Sequence, residues 1–375
     1  MNHAKRVGAL RRRMHSSSVA GNSIAAVLVT HLPDVRYLCG FTGSSAALAV
    51  TRRAARLFTD GRYTVQAAEE VRGAQLEIVP SNAAVTAVRW LAAQLAAQVS
   101  VGDASPKIGF DPTHTTVAEL ERWKAALPVA RRRKLLAPVG SLVEQLRQIK
   151  DDDELSVMTE AAALGDGLFE HLLAFIRPGM AEAEVAAELE YQARLRGAEG
   201  MSFESIVASG PRSALPHGRA SLAKLPKRGF LTLDFGVILR GYCSDMTRTV
   251  CLDKPTDRER SVYEAVLEAQ EAAVASVTAG VACGTVDEAA RGVLRKAGMA
   301  DAFSHSTGHG VGLEIHEGPR VGAGQKEKLA SGMVVTIEPG AYFAGEFGVR
   351  IEDMIAVTRT GGRSLTTSPK ALIEL

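Results

Sequence analysis

Short apolar runs alternate with amphipathic stretches through the first third of the chain. Residues 24–30, 46–51, 55–59 and 76–79 are dense in apolar and β-branched side chains and read as strands. Residues 65–71 and 83–95 space their apolar positions as helices do. That alternation predicts an α/β domain over residues 1–140. Turn signals at Gly40-Phe41-Thr42-Gly43-Ser44 and Asp60-Gly61-Arg62-Tyr63 read as structural. The domain shows no metal-ligand cluster along its sequence and no glycine-rich phosphate motif. A linker is expected near residues 137–140, and a second domain over 150–375.

The second domain changes rhythm. Asp151-Asp152-Asp153-Glu154 makes an acidic first helical turn, favourable at the positive end of the helix dipole. The helix is expected to run to about residue 175, stopped by Arg177-Pro178-Gly179-Met180, and a second spans 182–195. Two further helices, at 258–278 and 286–296, separate two segments of similar design. In the first, an apolar run ends at Asp234 and a glycine-bearing turn leads to Asp245 and a second apolar run. In the second, Glu338 and Glu352 hold the same places. The order helix, helix, acid-bearing hairpin therefore occurs twice. A duplicated α+β unit of this kind brings both acid pairs to one cleft by pseudo-two-fold symmetry.

Chemistry follows from those acids. An unpaired buried ion costs several kcal/mol, so buried carboxylates are paired or bound to metal. Four converging acids repel one another unless divalent cations neutralise them. Between the hairpins, three histidines fall within twelve residues: His305, His309 and His316. Gly308, Gly310 and Gly312 argue against a helix, so His309 and His316 are placed separately on an extended or irregular segment. His217, in Leu215-Pro216-His217-Gly218, is a further candidate.

Composition narrows the class. With 46% hydrophobic and 23% charged residues, the 375-residue chain can bury a sizeable core. A net charge of +2 gives no support for a nucleic-acid partner, and the basic run Arg131-Arg132-Arg133-Lys134 reads as a solvated face. Four widely spaced cysteines (Cys39, Cys243, Cys251, Cys283) form no CxxC pair and read as reduced thiols of a cytoplasmic protein. No apolar run reaches transmembrane length. The basic stretch Lys5 to Met14, followed by Ser16-Ser17-Ser18 rather than an apolar core, reads as the first helix and not as a targeting segment.

These residues resemble the proline-specific pita-bread metallopeptidases, Xaa-Pro dipeptidase (prolidase) and aminopeptidase P. Tyr37-Leu38-Cys39-Gly40-Phe41-Thr42-Gly43-Ser44 and Thr59-Asp60-Gly61-Arg62-Tyr63 are similar to the creatinase-type N-terminal domain. Leu146-Arg147-Gln148-Ile149-Lys150 is similar to the family's lead-in to its catalytic domain, and Phe203-Glu204-Ser205-Ile206-Val207-Ala208-Ser209-Gly210 to its pocket strand. The resemblance implies that Asp234, Asp245, His309, Glu338 and Glu352 hold two divalent ions. Asp245 and Glu352 would bridge them, Asp234 completing one site and His309 with Glu338 the other. Oxygen-rich ligands suit manganese first, then cobalt or zinc. A water bridging the ions would lose a proton near neutral pH and attack, with Glu338 passing the proton to the leaving nitrogen.

Further roles follow from the same resemblance. His217, His305 and His316 would line the substrate site. His316 would polarise the scissile carbonyl or stabilise the oxyanion, and His217 would contact the carbonyl or the proline end. Arg350 would support the metal acids and the intermediate. Phe203 would receive the proline ring, and Arg320 would grip a dipeptide's free carboxylate, aimed back at the site by a turn at Gly318-Pro319. Arg212 stands where this family carries a small polar residue. Substrates would be proline-containing di- or oligopeptides, and the assembly a homodimer. A creatinase-like metal-free amidinohydrolase, or a non-catalytic pita-bread binding module, would share the fold but lack several of the five ligands. Methionine aminopeptidase, the nearest rival within the fold, is disfavoured by the large N-terminal domain.

Overall fold

The computed structural model describes residues 1–16, 18–19, 22–97, 106–131 and 134–375. Ser17, Arg132 and Arg133 of the motifs above lie outside the described residues. The chain divides into two compact units, Met1–Arg147 and Gln148–Leu375.

The first unit holds α1 (His3–Ser16), β1 (Ser18–Val19), β2 (Asn22–Val29), α2 (Leu32–Cys39), β3 (Ala46–Thr51), β4 (Ala55–Asp60), α3 (Thr64–Glu70), β5 (Gln75–Val79), α4 (Ala83–Ala96), β6 (Lys107–Phe110), α5 (Val117–Ala126), β7 (Leu136–Pro138) and α6 (Glu144–Arg147). Its mixed sheet runs β5-β4-β3-β2-β6-β7, with β1 on β2. Residues 137–140 are not the linker the sequence suggests. β7 pairs in parallel with β6 at the end of the sheet, where a proline is tolerated because no further strand needs its N–H.

The second unit opens with α7 (Asp152–Phe175) and α8 (Glu182–Leu195). Asp151 and Glu154 cap α7 reciprocally, each side chain accepting from the other's backbone N–H. There follow β8 (Gly200–Met201), β9 (Ile206–Ser209), β10 (Gly229–Phe235), β11 (Val237–Leu239), β12 (Tyr242–Cys243) and β13 (Met246–Leu252). Then come α9 (Asp257–Ser276), α10 (Cys283–Lys296), β14 (Gly308–Gly310), β15 (Glu317–Val321), β16 (Val334–Ile337), β17 (Gly340–Phe343), β18 (Phe347–Arg350), β19 (Asp353–Val357) and β20 (Gly362–Ser364).

The repeat is visible in strand order. One sheet reads β13-β10-β9 and the other contains β19-β16-β14, so corresponding strands take corresponding places. Each acid segment is a hairpin within a hairpin. β10 pairs with β13 and β16 with β19, while β11–β12 and β17–β18 make inner hairpins between the two acids. Period-two alternation sorts the faces. Leu231, Leu233 and Phe235 join the core under α7 and α8, leaving Thr232 and Asp234 on the opposite face. Val335, Ile337 and Ile355 join the core under α9 and α10, with Val262, Val266, Val286 and Leu294. Each such side chain contributes about 1.5–3 kcal/mol on burial, so the core fixes the register and with it the side to which the acids point.

Candidate active site

The candidate metal, catalytic and substrate-binding residues all line one cleft of about 610 Å³ in the second unit. Its volume suits a small peptide. Asp234 lies in β10, Asp245 immediately before β13, Glu338 immediately after β16 and Glu352 immediately before β19. His309 sits in the middle of β14, which runs between β15 and β16. The flanking glycines follow from that crowding. A Cβ on Gly308 would stand 1.9 Å from the Thr336 carbonyl oxygen, and one on Gly310 2.1 Å from that of Gly318.

His309 Nε2 lies 3.5 Å from Asp245 and 3.6 Å from Glu338. Ligand atoms of Asp245, His309 and Glu352 fall within 4.8 Å of one another. His309 Nδ1 is 2.9 Å from the Gly310 carbonyl, which accepts its proton and leaves Nε2 bare toward the acids, the tautomer a metal ligand needs. Burial lowers the His309 pKa to about 4, so it is neutral. Burial, reinforced by neighbouring carboxylates, holds Asp245 and Glu352 well above the ordinary carboxylate range. Burial, with Asp234, pushes Glu338 up to about 7 against the pull of Arg350.

Two acids are half-satisfied. Asp234 accepts from Arg350 at 2.6 Å through Oδ2, and Glu352 accepts from Thr247 at 2.7 Å through Oε2. The other oxygen of each, Asp234 Oδ1 and Glu352 Oε1, is buried and has no hydrogen-bond partner among the described residues. A buried, unpaired carboxylate oxygen is costly, and divalent cations are what this donor set fits.

Arg350 is the hub of the second hairpin. It donates to Asp234, Thr247, the Pro216 carbonyl and the Tyr342 hydroxyl. Burial works against its charge, but Tyr342, Asp234 and Glu338 more than offset that and keep it cationic. The contact to Pro216 anchors the loop that presents exposed His217. His305 lines the cleft with both ring nitrogens engaged. Nδ1 faces the Ser306 carbonyl at 2.8 Å and Nε2 the Tyr342 hydroxyl at 2.9 Å. A contact to substrate therefore falls to its ring edge. His316 is exposed and meets the His309 ring edge-on at 4.5 Å. The two rings are thus neighbours, not separate as the glycines between them suggest.

Arg320 reaches the cleft from within β15, just after Gly318 and Pro319 bulge between the residues paired with Gly310 and His309. β15 continues through it and sets it directly opposite His309, on the same face. Arg212 does not narrow the cleft; it folds back onto buried Glu182 and the Arg219 carbonyl. Tyr342 and Thr247 belong to the site although their residue types give no signal of it. Thr247 donates to Glu352, and the Tyr342 hydroxyl joins Arg350 to His305.

In the first unit, Asp111, His114 and Glu144 also come together, which their spacing in sequence does not show. His114 Nε2 is 2.6 Å from Glu144, and its ring stacks on His31 at 3.6 Å, so ordinary pairing accounts for the arrangement. All four cysteines are free and buried, and burial pushes the Cys39 and Cys243 thiols up to about 12. Among the described residues no helix is long and apolar enough to cross a membrane.

Residues 156–359 match the model of metallopeptidase family M24, and residues 6–149 that of the creatinase/prolidase N-terminal domain. The chain belongs to metallopeptidase family M24. Within that family it is 40% identical to an uncharacterized peptidase, YqhT, of Bacillus subtilis over 94% of this chain and 96% of that one. Its structure matches that of an Xaa-Pro dipeptidase from Bacillus anthracis with a TM-score of 0.91 and 39% identity, covering 100% of both chains. It also matches an X-Pro aminopeptidase from Thermotoga maritima with a TM-score of 0.86 and 33% identity, covering 97% and 99%. Family membership makes it a metallopeptidase with a mixed α/β, two-domain architecture and a requirement for divalent metal.

Proposed function

We propose that this enzyme hydrolyses the Xaa-Pro bond at the N-terminus of short peptides, with two divalent ions held by Asp234, Asp245, His309, Glu338 and Glu352. The observation that carries the reading is the pair of buried, unpartnered oxygens on Asp234 and Glu352, one from each acid hairpin, in one cleft. Manganese is the first expectation, with cobalt or zinc next. Bound there, the ions would supply the charge that lets the acids coexist and would activate a water for attack.

The chain's own groups do the rest. Arg350 orients Asp234. Thr247 fixes the Glu352 carboxylate by one oxygen and leaves the other for metal. Glu338 accepts a long hydrogen bond from Thr336, at 3.4 Å, and passes a proton to the leaving nitrogen. His316 and His217 take the carbonyl oxygen and the proline end. Phe203 lines the same cleft and receives the ring. The reading carries with it a cytoplasmic homodimer, tested by light scattering on purified protein and by fractionation.

The two structural relatives differ in the peptides their names describe, so likeness does not choose between dipeptides and longer chains. Arg320 favours dipeptides, because a guanidinium beside His309 can take a free carboxylate with two hydrogen bonds. The test is metal-dependent turnover of Xaa-Pro dipeptides and Xaa-Pro-Yaa tripeptides by the wild type and Arg320→Ala. Losing a charge-assisted contact costs about 1.5–3 kcal/mol, or roughly 10- to 150-fold. That rise in KM is expected for dipeptides alone. Equal loss on both substrates would make Arg320 structural, and no turnover of either with any of the three metals would end the reading.

A further inference from the structure

The loop that carries His316 is fastened from behind by residues that the chemistry above does not use. Gly312 N–H donates to the Glu314 carbonyl, and the Gly312 carbonyl accepts from Cys243 N–H at 2.7 Å. Glu314 N–H donates to Glu317 Oε1 at 3.2 Å. The other oxygen, Glu317 Oε2, pairs with Lys150 Nζ at 3.2 Å, where the two side chains are 7% and 1% exposed. The backbone N–H of Lys150 is itself tied to the Gly332 carbonyl at 2.8 Å.

Two glycines show how closely this assembly is packed. A Cβ on Gly312 would stand 2.7 Å from Glu317 Oε2, and one on Gly318 2.3 Å from Gln148 Nε2. His316 precedes β15 directly and lines the cleft, and the next residue, Glu317, is held by Lys150 and the Glu314 N–H. A buried ion pair is a weak source of stability, since desolvation cancels most of its attraction. Its demand for one geometry is what remains.

We infer that Lys150 and Glu317 are a positioning pair that fixes the His316 loop, and with it the start of β15 that leads to Arg320. The inference rests on the reading of this cleft as an Xaa-Pro peptidase. Glu317 borders the cleft, but its carboxylate is committed to Lys150 and the Glu314 N–H, so the pair acts through His316. Misplacing a catalytic group by about 1 Å costs on the order of 10²-fold, so its loss is expected to lower kcat about 10- to 100-fold.

The test uses the full-length, metal-loaded enzyme with an Xaa-Pro dipeptide. Lys150→Met and Glu317→Gln should each lower kcat in that range with metal content unchanged, and Lys150→Arg should recover most of it. Either single variant strips a buried charge of its counter-ion and can fail to fold, so Lys150→Met/Glu317→Gln together carries the test. The double variant should show the same loss as the singles rather than their product. In a His316→Ala background it should cost no more than about twofold further. A folded, metal-loaded double variant with wild-type kcat overturns the inference, as does a full second loss in the His316→Ala background. If the wild type itself leaves Xaa-Pro peptides uncut, the functional reading fails first. Crystal structures of wild type and double variant then decide the positioning role, displacement of the His316 ring supporting it and an unmoved ring refuting it.

Discussion

The two acid-bearing hairpins of the second unit exchange arginines, and they do so unequally. Arg350, from the second hairpin, donates to Asp234 of the first at 2.6 Å. Arg248, from the first, pairs at 2.7 Å with Asp353 of the second and donates to the Glu352 carbonyl. Both are buried. Arg350 lines the cleft, and of its other partners, Thr247 holds Glu352 while Tyr342 and Pro216 lead to His305 and His217. Arg248 lines no part of it; its remaining donors go to the Ser368, Pro369 and Thr247 carbonyls. Burial pushes the Asp353 carboxyl up, but Arg248 and Lys370 pull it below its ordinary range, so this pair stays ionised behind the site. The two ties are not copies of one position, since Arg248 lies in the outer strand β13, three residues after Asp245, and Arg350 in the inner strand β18, two residues before Glu352. One borders the chemistry and the other locks the second hairpin to the first.

The hairpins should be equal where metal is concerned. Asp245→Asn and Glu352→Ala are each expected to abolish activity and to lose bound metal, read by elemental analysis of the dialysed protein. Full activity in either variant would remove that residue from the ligand set.

The arginines should be unequal. Arg248→Met leaves Asp353 buried with a weakened partner set and should cost about 3–5 kcal/mol in urea unfolding, with kcat of the folded enzyme close to wild type. Arg350→Met should lower kcat about 10²- to 10³-fold with a smaller loss of stability in the metal-loaded enzyme, because bound cations also neutralise Asp234. The reverse pattern would break the comparison.

The segment between the hairpins supplies a third contribution. His316→Ala should lower kcat by roughly 10²-fold and leave metal content intact, since the ring faces the cleft beside His309 without joining the acids. Loss of metal in that variant would make His316 a ligand.

The smallest effect concerns His305, which ties this segment to Arg350 through Tyr342. Burial lowers its pKa to about 4 against an ordinary 6.5. Below pH 6.5 the unfolded chain takes up this proton and the folded one does not, so stability falls as pH drops from 6.5 toward 4 and is unaffected above that window. Between pH 7.5 and 5 the metal-free wild type should lose about 2 kcal/mol more than His305→Gln in chemical unfolding. Parallel curves would mean that the ring is not held neutral.

Residue type makes the candidate metal centre legible in the sequence, because a carboxylate inside an apolar strand is too costly to keep without a compensating cation. The groups that orient the acids are hidden there. Thr247 and Tyr342 are ordinary letters until strand pairing puts them beside Glu352 and Arg350. Arg320 is legible as a cation near the site but its route there is not, since Gly318-Pro319 resembles a turn while the structure makes it a bulge inside β15. In the first unit α2 escapes the pattern because Pro33 and Gly40 bracket it like a loop, although proline at a helix start and glycine at its end are both at home. The units divide between Arg147 and Gln148, and the stretch read as a linker near 137–140 begins in an edge strand that Pro138 closes.

The nested hairpins bear on how this scaffold tolerates change in length. The first acid pair is separated by eleven residues and the second by fourteen, yet both pairs arrive on the same side. What holds them is the outer pairing, β10 with β13 from Gly229↔Leu252 to Phe235↔Met246, and β16 with β19 from Val334↔Ala356 to Ile337↔Asp353. The inner β11–β12 and β17–β18 turns are therefore places where residues can be inserted, labelled or grafted without disturbing the ligands. One residue added within an outer strand would instead swap its two faces, sending carboxylates into the helices and leucines into the cleft.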